Sequence, residues 1–161
     1  MRTRRPRCAV TAAVILSALL VCAADGCKPK PPAPTGPAVV LRNAQGKDWT
    51  VTVELARTVP EQMQGLMYRW SLQPDHGMLF IFPDVEQRHF WMKNTRIPLD
   101  MLFIGSDLRV VGIVANAEPY TETERFVDGV SKYVLEVSGG ACARHGVKAG
   151  DQVSFRNVGA Q

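Results

Sequence analysis

From residue 38 onward the apolar period of the chain changes repeatedly, and turn residues bound each change. Ala38–Arg42 is a short apolar run, followed by turn chemistry over Asn43–Asp48. Trp49–Ala56 alternates apolar with polar residues, so the two runs predict a hairpin. Thr58-Val59-Pro60-Glu61 carries the hydroxyl, proline and glutamate of a capping box, which predicts a helix from Val59 to about Tyr68. Met63, Leu66 and Met67 would share its inner face, and Gly65 would sit inside it at a cost of about 1 kcal/mol against alanine.

Gly77–Phe82 is apolar without alternation, the pattern of a central strand, and Pro83-Asp84 turns the chain. Gln87–Met92, Leu99–Ile104 and Leu108–Ala115 read as further strands, the last two as a hairpin through Gly105–Asp107. Glu118–Asp128 has no period and reads as a long exposed loop. Lys132–Val137 is another strand, Ser138–Gly146 a short helix capped by Ser138, and Gln152–Val158 a last strand. Seven or eight strands and two short helices over residues 38–158 predict a mainly β domain. The expected form is a single antiparallel β-sandwich or a partly closed barrel.

The first 37 residues have a different character. Arg2, Arg4, Arg5 and Arg7 precede an apolar run from Cys8 to Ala24, the layout of a secretory signal over residues 1–26. The run is short for a membrane-spanning anchor, which is the alternative. Ala24-Asp25-Gly26-Cys27 resembles a lipoprotein cleavage site, although Ala24 stands where leucine is usual and Asp25 is an uncommon neighbour. Ordinary cleavage near Cys22–Ala24 is the other route and would leave a soluble periplasmic or secreted protein. The Pro-rich segment 27–37 favours lipidation of Cys27, because it is a semi-rigid spacer of the kind a tethered domain needs. The expectation is a membrane-anchored, periplasm-facing envelope lipoprotein.

Removing the signal also removes most of the positive charge. The chain has 19 Lys and Arg against 15 Asp and Glu; a form beginning at Cys27 loses four arginines and Asp25, leaving 15 against 14. Such a domain has no basic excess to argue for nucleic acid, and a monomer is expected. Cys142 is then the one cysteine of the folded part, so no intramolecular disulfide holds the fold.

Gly65-Leu66-Met67, Gly77–Phe80, Phe90-Trp91-Met92-Lys93-Asn94-Thr95, Ile97-Pro98-Leu99-Asp100, Val134-Leu135-Glu136 and Gly150-Asp151 occur in that order. Together they resemble the domain of unknown function 192 family of bacteria and archaea, over roughly Val51 to Phe155. The resemblance implies a compact, mainly β domain, often behind a signal sequence. It implies no activity and no catalytic residues.

Candidate chemistry concentrates after Phe90. Trp91, Lys93, Asn94, Thr95 and Asp100 offer a stacking face, a cation, an amide, a hydroxyl and a carboxylate among apolar neighbours, which suits a small polar ligand such as a glycan or peptide fragment. In an extended strand Trp91, Lys93 and Thr95 would share one face, Met92 and Asn94 the other. The bland alternative makes Asn94 and Thr95 corner residues before Pro98 and pairs Asp100 with Lys93 or Arg96. Asp100 and Glu136 both lie in apolar strands and need partners; an acid–base pair in an envelope hydrolase is the rival reading. Met63, Met67, Met78, Met92 and Met101 raise Cu(I) handling, although each occupies an ordinary core position. Cys142 and His145 suggest a thiol and base, but no third group orients the histidine. His76, His89 and His145 show no metal-ligand spacing. A non-catalytic binding module without cofactor or metal is the leading expectation.

Overall fold

The computed structural model describes residues 35–159. The expected signal segment, Cys27 and residues 28–34 of the tether lie outside the described residues. Seven strands and two helices follow in order: β1 (Ala38–Arg42), β2 (Asp48–Ala56), α1 (Val59–Gln64), β3 (His76–Glu86), β4 (Leu99–Ile104), β5 (Val110–Ala117), β6 (Ser131–Ser138), α2 (Ala141–His145) and β7 (Gln152–Arg156). The strands form one sheet in the order β5-β4-β6-β3-β2-β1-β7. The sheet curls into a half-barrel.

Its two edge strands approach at one corner. The Val110 amide donates to the Asp151 carbonyl (3.0 Å), the Gly150 amide to the Val110 carbonyl (2.7 Å), and the Val153 amide to the Leu108 carbonyl (2.8 Å). These bonds satisfy edge groups that an open sheet would leave unpaired. Of the two β architectures expected, the partly closed barrel is the one formed. One pairing departs from the antiparallel expectation: β2 and β3 run parallel, Thr52 opposite His76 through Ala56 opposite Phe80. The connection between them carries α1, as a parallel crossover requires.

Alternation along the strands divides the core in two. Val39, Val51, Leu79, Leu102, Val110, Leu135 and Val153 contribute one residue from each strand to the larger cluster, which α2 also enters through Ala141 and Cys142. The opposite face of β3, β4 and β6 presents Met78, Phe80, Met101, Phe103 and Val134, covered by Leu66 and Met92. This second cluster supports the candidate site.

The capping box forms as expected. The Thr58 amide donates to Glu61 Oε2 (2.9 Å), and Thr58 Oγ1 accepts from the Glu61 amide (3.4 Å). The helix is shorter than its pattern suggested. Gly65, at φ 48° and ψ −134°, ends it after Gln64 instead of riding inside it. Leu66 then drops into the second core, while Met63 remains exposed on the helix. Gln62 ties the turn down by donating to the Ile81 carbonyl (2.9 Å).

Two further expectations need correction. Gln87–Met92 is not a strand; Phe90 makes a single bridge with Arg125, exchanging two backbone bonds (2.9 and 2.7 Å). The reason is aromatic: Phe90 packs edge-on against Phe80, Phe82 and Phe103 at centroid distances of 5.1, 6.5 and 5.9 Å, which turns the segment out of any ladder. The loop around residues 118–128 is exposed at its tip, but its backbone also backs this segment, with the Met92 amide donating to the Thr121 carbonyl (2.8 Å). Ser138, expected to cap α2, ends β6, and the helix starts after Gly140.

Candidate functional site

Asp100 supplies the missing cap. It is 0% exposed on β4, and its carboxylate accepts from three backbone amides: Asn116 (2.8 Å) and Gly140 (2.9 Å) through Oδ1, and Cys142 (2.9 Å) through Oδ2. One carboxylate thereby holds the α2 N-terminus and the end of β5 against β4. It pairs with neither Lys93 nor Arg96, and its oxygens are committed to the fold.

Glu136 is the counter-case. In the antiparallel β4–β6 pairing, Asp100 stands opposite Val137 and Met101 opposite Glu136. Opposed residues share a face and successive ones alternate. Asp100 therefore leaves the sheet toward the larger core and Glu136 toward the second. The two carboxylates proposed as a hydrolytic pair lie on opposite faces of the same sheet, and that pairing is corrected by the register.

Glu136 is 4% exposed and flanked across the ladder by Met78 and Met101, neither of which can donate a proton to it. No hydrogen bond or ion pair reaches its carboxyl among the described residues. Burial alone pushes its pKa from the ordinary 4.5 up to about 8. Above it stands Gly65: a Cβ built there would lie 3.2 Å from the Phe80 ring and 3.8 Å from Glu136 Oε2. The absent side chain leaves the carboxyl open upward, at the floor of a groove of about 520 Å³.

The groove runs between α1 with its following turn and the segment Phe82–Thr95. Phe80, Phe82, Phe90 and Trp91 wall it, together with Met63 and Met67. Val59, Met63 and Trp91 remain exposed at its mouth, at 67, 67 and 47%. Concave, with aromatic and thioether walls and about as many polar as apolar lining residues, it has the size of a small-molecule site. Its charged rim is internally matched. Arg88 lies 3.9 Å over the Phe82 ring and bonds Asp84 and Glu86, its Nε having no partner among the described residues. His89 faces Glu124 at 3.1 Å.

Of the five residues expected to bind, Trp91 and Thr95 reach this groove. Lys93 pairs with Glu122 (3.3 Å) and sits 5.4 Å from the Trp91 ring centre. Asn94 occupies a left-handed corner (φ 54°) and donates to the Tyr68 hydroxyl (2.9 Å), while the Tyr68 amide donates to the Asn94 carbonyl (2.9 Å). Its work is to join the two walls. The site that forms is thus displaced toward Gly65 and Glu136. A glycine within a predicted helix, and a glutamate within an apolar strand, were the sequence signals for it.

The other candidates do not converge on a reactive centre. Cys142 is buried, and its thiol is pushed up by burial and by Asp100 beside it. His145 stacks on Trp49 (4.2 Å, 6° between planes) with Asp75 3.4 Å away, and burial lowers its pKa. Met92 and Met101 are core residues, whereas Met63 stands at the groove mouth. No cluster of three or more His, Cys, Asp or Glu suited to a metal occurs among the described residues.

Among the solved structures similar to this chain are two bacterial proteins. A protein of Sinorhizobium meliloti 1021, described as a "putative transcription regulator", is 43% identical with a TM-score of 0.73, over 76% of this chain and 95% of its own. A protein of unknown function from Novosphingobium aromaticivorans DSM 12444 is 44% identical with a TM-score of 0.70, over 73% of this chain and 83% of its own. No curated protein matches. The model of the domain of unknown function 192 family, described as an uncharacterized ACR, matches residues 40–155. That match spans nearly the whole half-barrel and both walls of the groove, and the chain belongs to the domain of unknown function 192 family.

Proposed function

We propose that this chain is a non-catalytic binding module of the cell envelope, holding a small ligand in the groove above Glu136. The observation that carries the reading is the Glu136 carboxyl, 4% exposed and without a partner among the described residues, lining a groove with aromatic walls. Burying an unpaired polar group costs roughly 1–3 kcal/mol, and folded chains leave few such groups unanswered. The exposed apolar mouth formed by Val59, Met63 and Trp91 supports the same reading. A glycan or peptide fragment fits only as far as it can offer an apolar stem; the polar tip would meet Glu136 and Thr95.

Export and lipidation of Cys27 belong to the same proposal and rest on the basic and apolar start of the chain and its Pro-rich segment. The regulator name of the Sinorhizobium meliloti relative points toward nucleic acid. Residues 38–158 carry 13 Lys and Arg against 14 Asp and Glu, so they lack the positive excess that phosphate contacts use.

A thermal-shift screen of the full chain against a library of small organic ligands tests the binding proposal. Hits are expected whose shift disappears in Trp91→Ala; a library without hits refutes it. Export and anchoring predict palmitate incorporation that vanishes in Cys27→Ser, and an unlabelled wild type refutes that part.

A further inference from the structure

The groove's chemistry narrows the ligand. We infer, resting on the groove reading above, that its occupant is a small organic cation: a primary ammonium or guanidinium on an apolar stem, its charge meeting the Glu136 carboxylate. Three features select that class. Glu136 has no donor among the described residues, and a cationic donor would satisfy it most fully. Phe80, Phe90 and Trp91 line the walls beside Phe82, and Arg88 over the Phe82 ring already shows a cation held on an aromatic face there. Finally, Glu86, Glu124 and Glu136 line the groove, and Arg88 is the sole Lys or Arg among its lining residues. That guanidinium is already committed to Phe82, Asp84 and Glu86. An anionic ligand would enter toward three carboxylates, with only the partly committed Arg88 guanidinium as counter-charge. A neutral ligand would gain a single hydrogen bond at the floor.

The step is a proton exchange with a simple balance. In the empty groove at pH 7 the carboxyl holds its proton. When the cation arrives, that proton leaves to solvent and an ion pair forms in its place. No covalent bond of the ligand changes. The groups facing this chemistry from neighbouring elements are Glu86 at the end of β3, Arg88 and His89 on the following segment, and Glu124 on the loop. β4 contributes Met101 on this face and no charge, since Asp100 leaves by the other.

The test uses three probes of one stem length, n-hexylamine, n-hexanol and hexanoate, titrated calorimetrically into the full chain between pH 6 and 9. An alkylammonium ionises near the lysine value of about 10.4, so the amine stays charged throughout. Hexylamine is expected to bind best at pH 8.5, at least tenfold tighter than hexanol, with hexanoate weakest. Its affinity should rise about tenfold per pH unit below pH 8 and level off above it, with close to one proton released at pH 7. Glu136→Gln should bring hexylamine down to the level of hexanol, and a cooperative urea transition shows that the variant remains folded. Hexanol binding as tightly as hexylamine, or an unchanged amine affinity in Glu136→Gln, overturns the cation inference and leaves the groove reading standing. Absence of binding by all three probes, together with a library screen without hits, overturns both.

Discussion

Glu136→Gln replaces one carboxyl oxygen with an amide nitrogen and keeps the side chain's shape, so it isolates the effect of charge at this position. The wild-type carboxyl titrates near 8 when folded and near 4.5 when the chain is unfolded. The folded state therefore holds a proton that the unfolded state has released throughout that window. Stability contributed by the protonated group is complete below pH 4.5 and is lost as pH rises through 8. Each pH unit inside the window removes about 1.4 kcal/mol. The accumulated loss is about 3 kcal/mol at pH 7 and at most about 5 kcal/mol at pH 9, from the same linkage. Against a typical folding stability of about 5–15 kcal/mol this is a large penalty for one side chain.

Glutamine does not titrate, so the variant escapes the loss. Urea denaturation of both proteins at constant ionic strength, from pH 4 to 9, gives the difference directly. His145, lowered by burial, and Asp84, lowered by its bond to Arg88, titrate in both proteins and cancel. The difference in unfolding free energy should be flat below pH 4.5, climb in favour of glutamine up to about pH 8, and then level. A difference independent of pH would refute the argument that Glu136 is buried without a partner. A difference that shrank as pH rose would show that the carboxylate form is the stabilised one, through a partner this structure does not give it.

Asp100→Ala should destabilise by at least about 3 kcal/mol in urea denaturation, because it strands three buried backbone amides at once. Gly65→Ala should cost roughly 1–3 kcal/mol, since alanine does not adopt φ 48°, ψ −134° without strain, and should weaken every groove ligand by crowding Phe80. Trp91→Ala should hold thermal stability nearly constant, because the ring is half exposed, yet abolish ligand-induced shifts.

How much of this was legible beforehand follows from what each feature depends on. The alternation in Trp49–Ala56, the unbroken apolar run in Gly77–Phe82 and the capping box at Thr58 are local, and all three elements formed. The parallel β2–β3 pair was signalled by a helix placed between two strands, a crossover pattern that outranks the general tendency toward antiparallel neighbours. Phe90 misled because two aromatics and a methionine look like strand material. Its partners, Phe80, Phe82 and Phe103, lie on elements whose proximity no local window reveals. Gly65 was read as an anomaly within a helix; it is the helix terminus, and the space it leaves opens the floor of the groove.

The contrast between Asp100 and Glu136 carries the functional argument furthest. Each is a carboxylate in an otherwise apolar strand, and by composition they are equivalent. A register offset of one residue sends them to opposite faces, and opposite consequences follow. On one face the N-terminus of α2 and the Asn116 amide meet Asp100, so its charge is answered and it acts as a structural cap. On the other face Met78 and Met101 flank Glu136, Gly65 leaves the way to it clear, and no described residue answers it. A chain that needed only a stable core could place glutamine, methionine or leucine there and gain stability. Groups held at such a disadvantage concentrate where structure is set by a task other than folding. For Glu136 that task would be performed by whatever enters the groove with a proton donor or positive charge at its tip. Loss of the pH-dependent penalty on adding n-hexylamine would tie the two halves of the argument together.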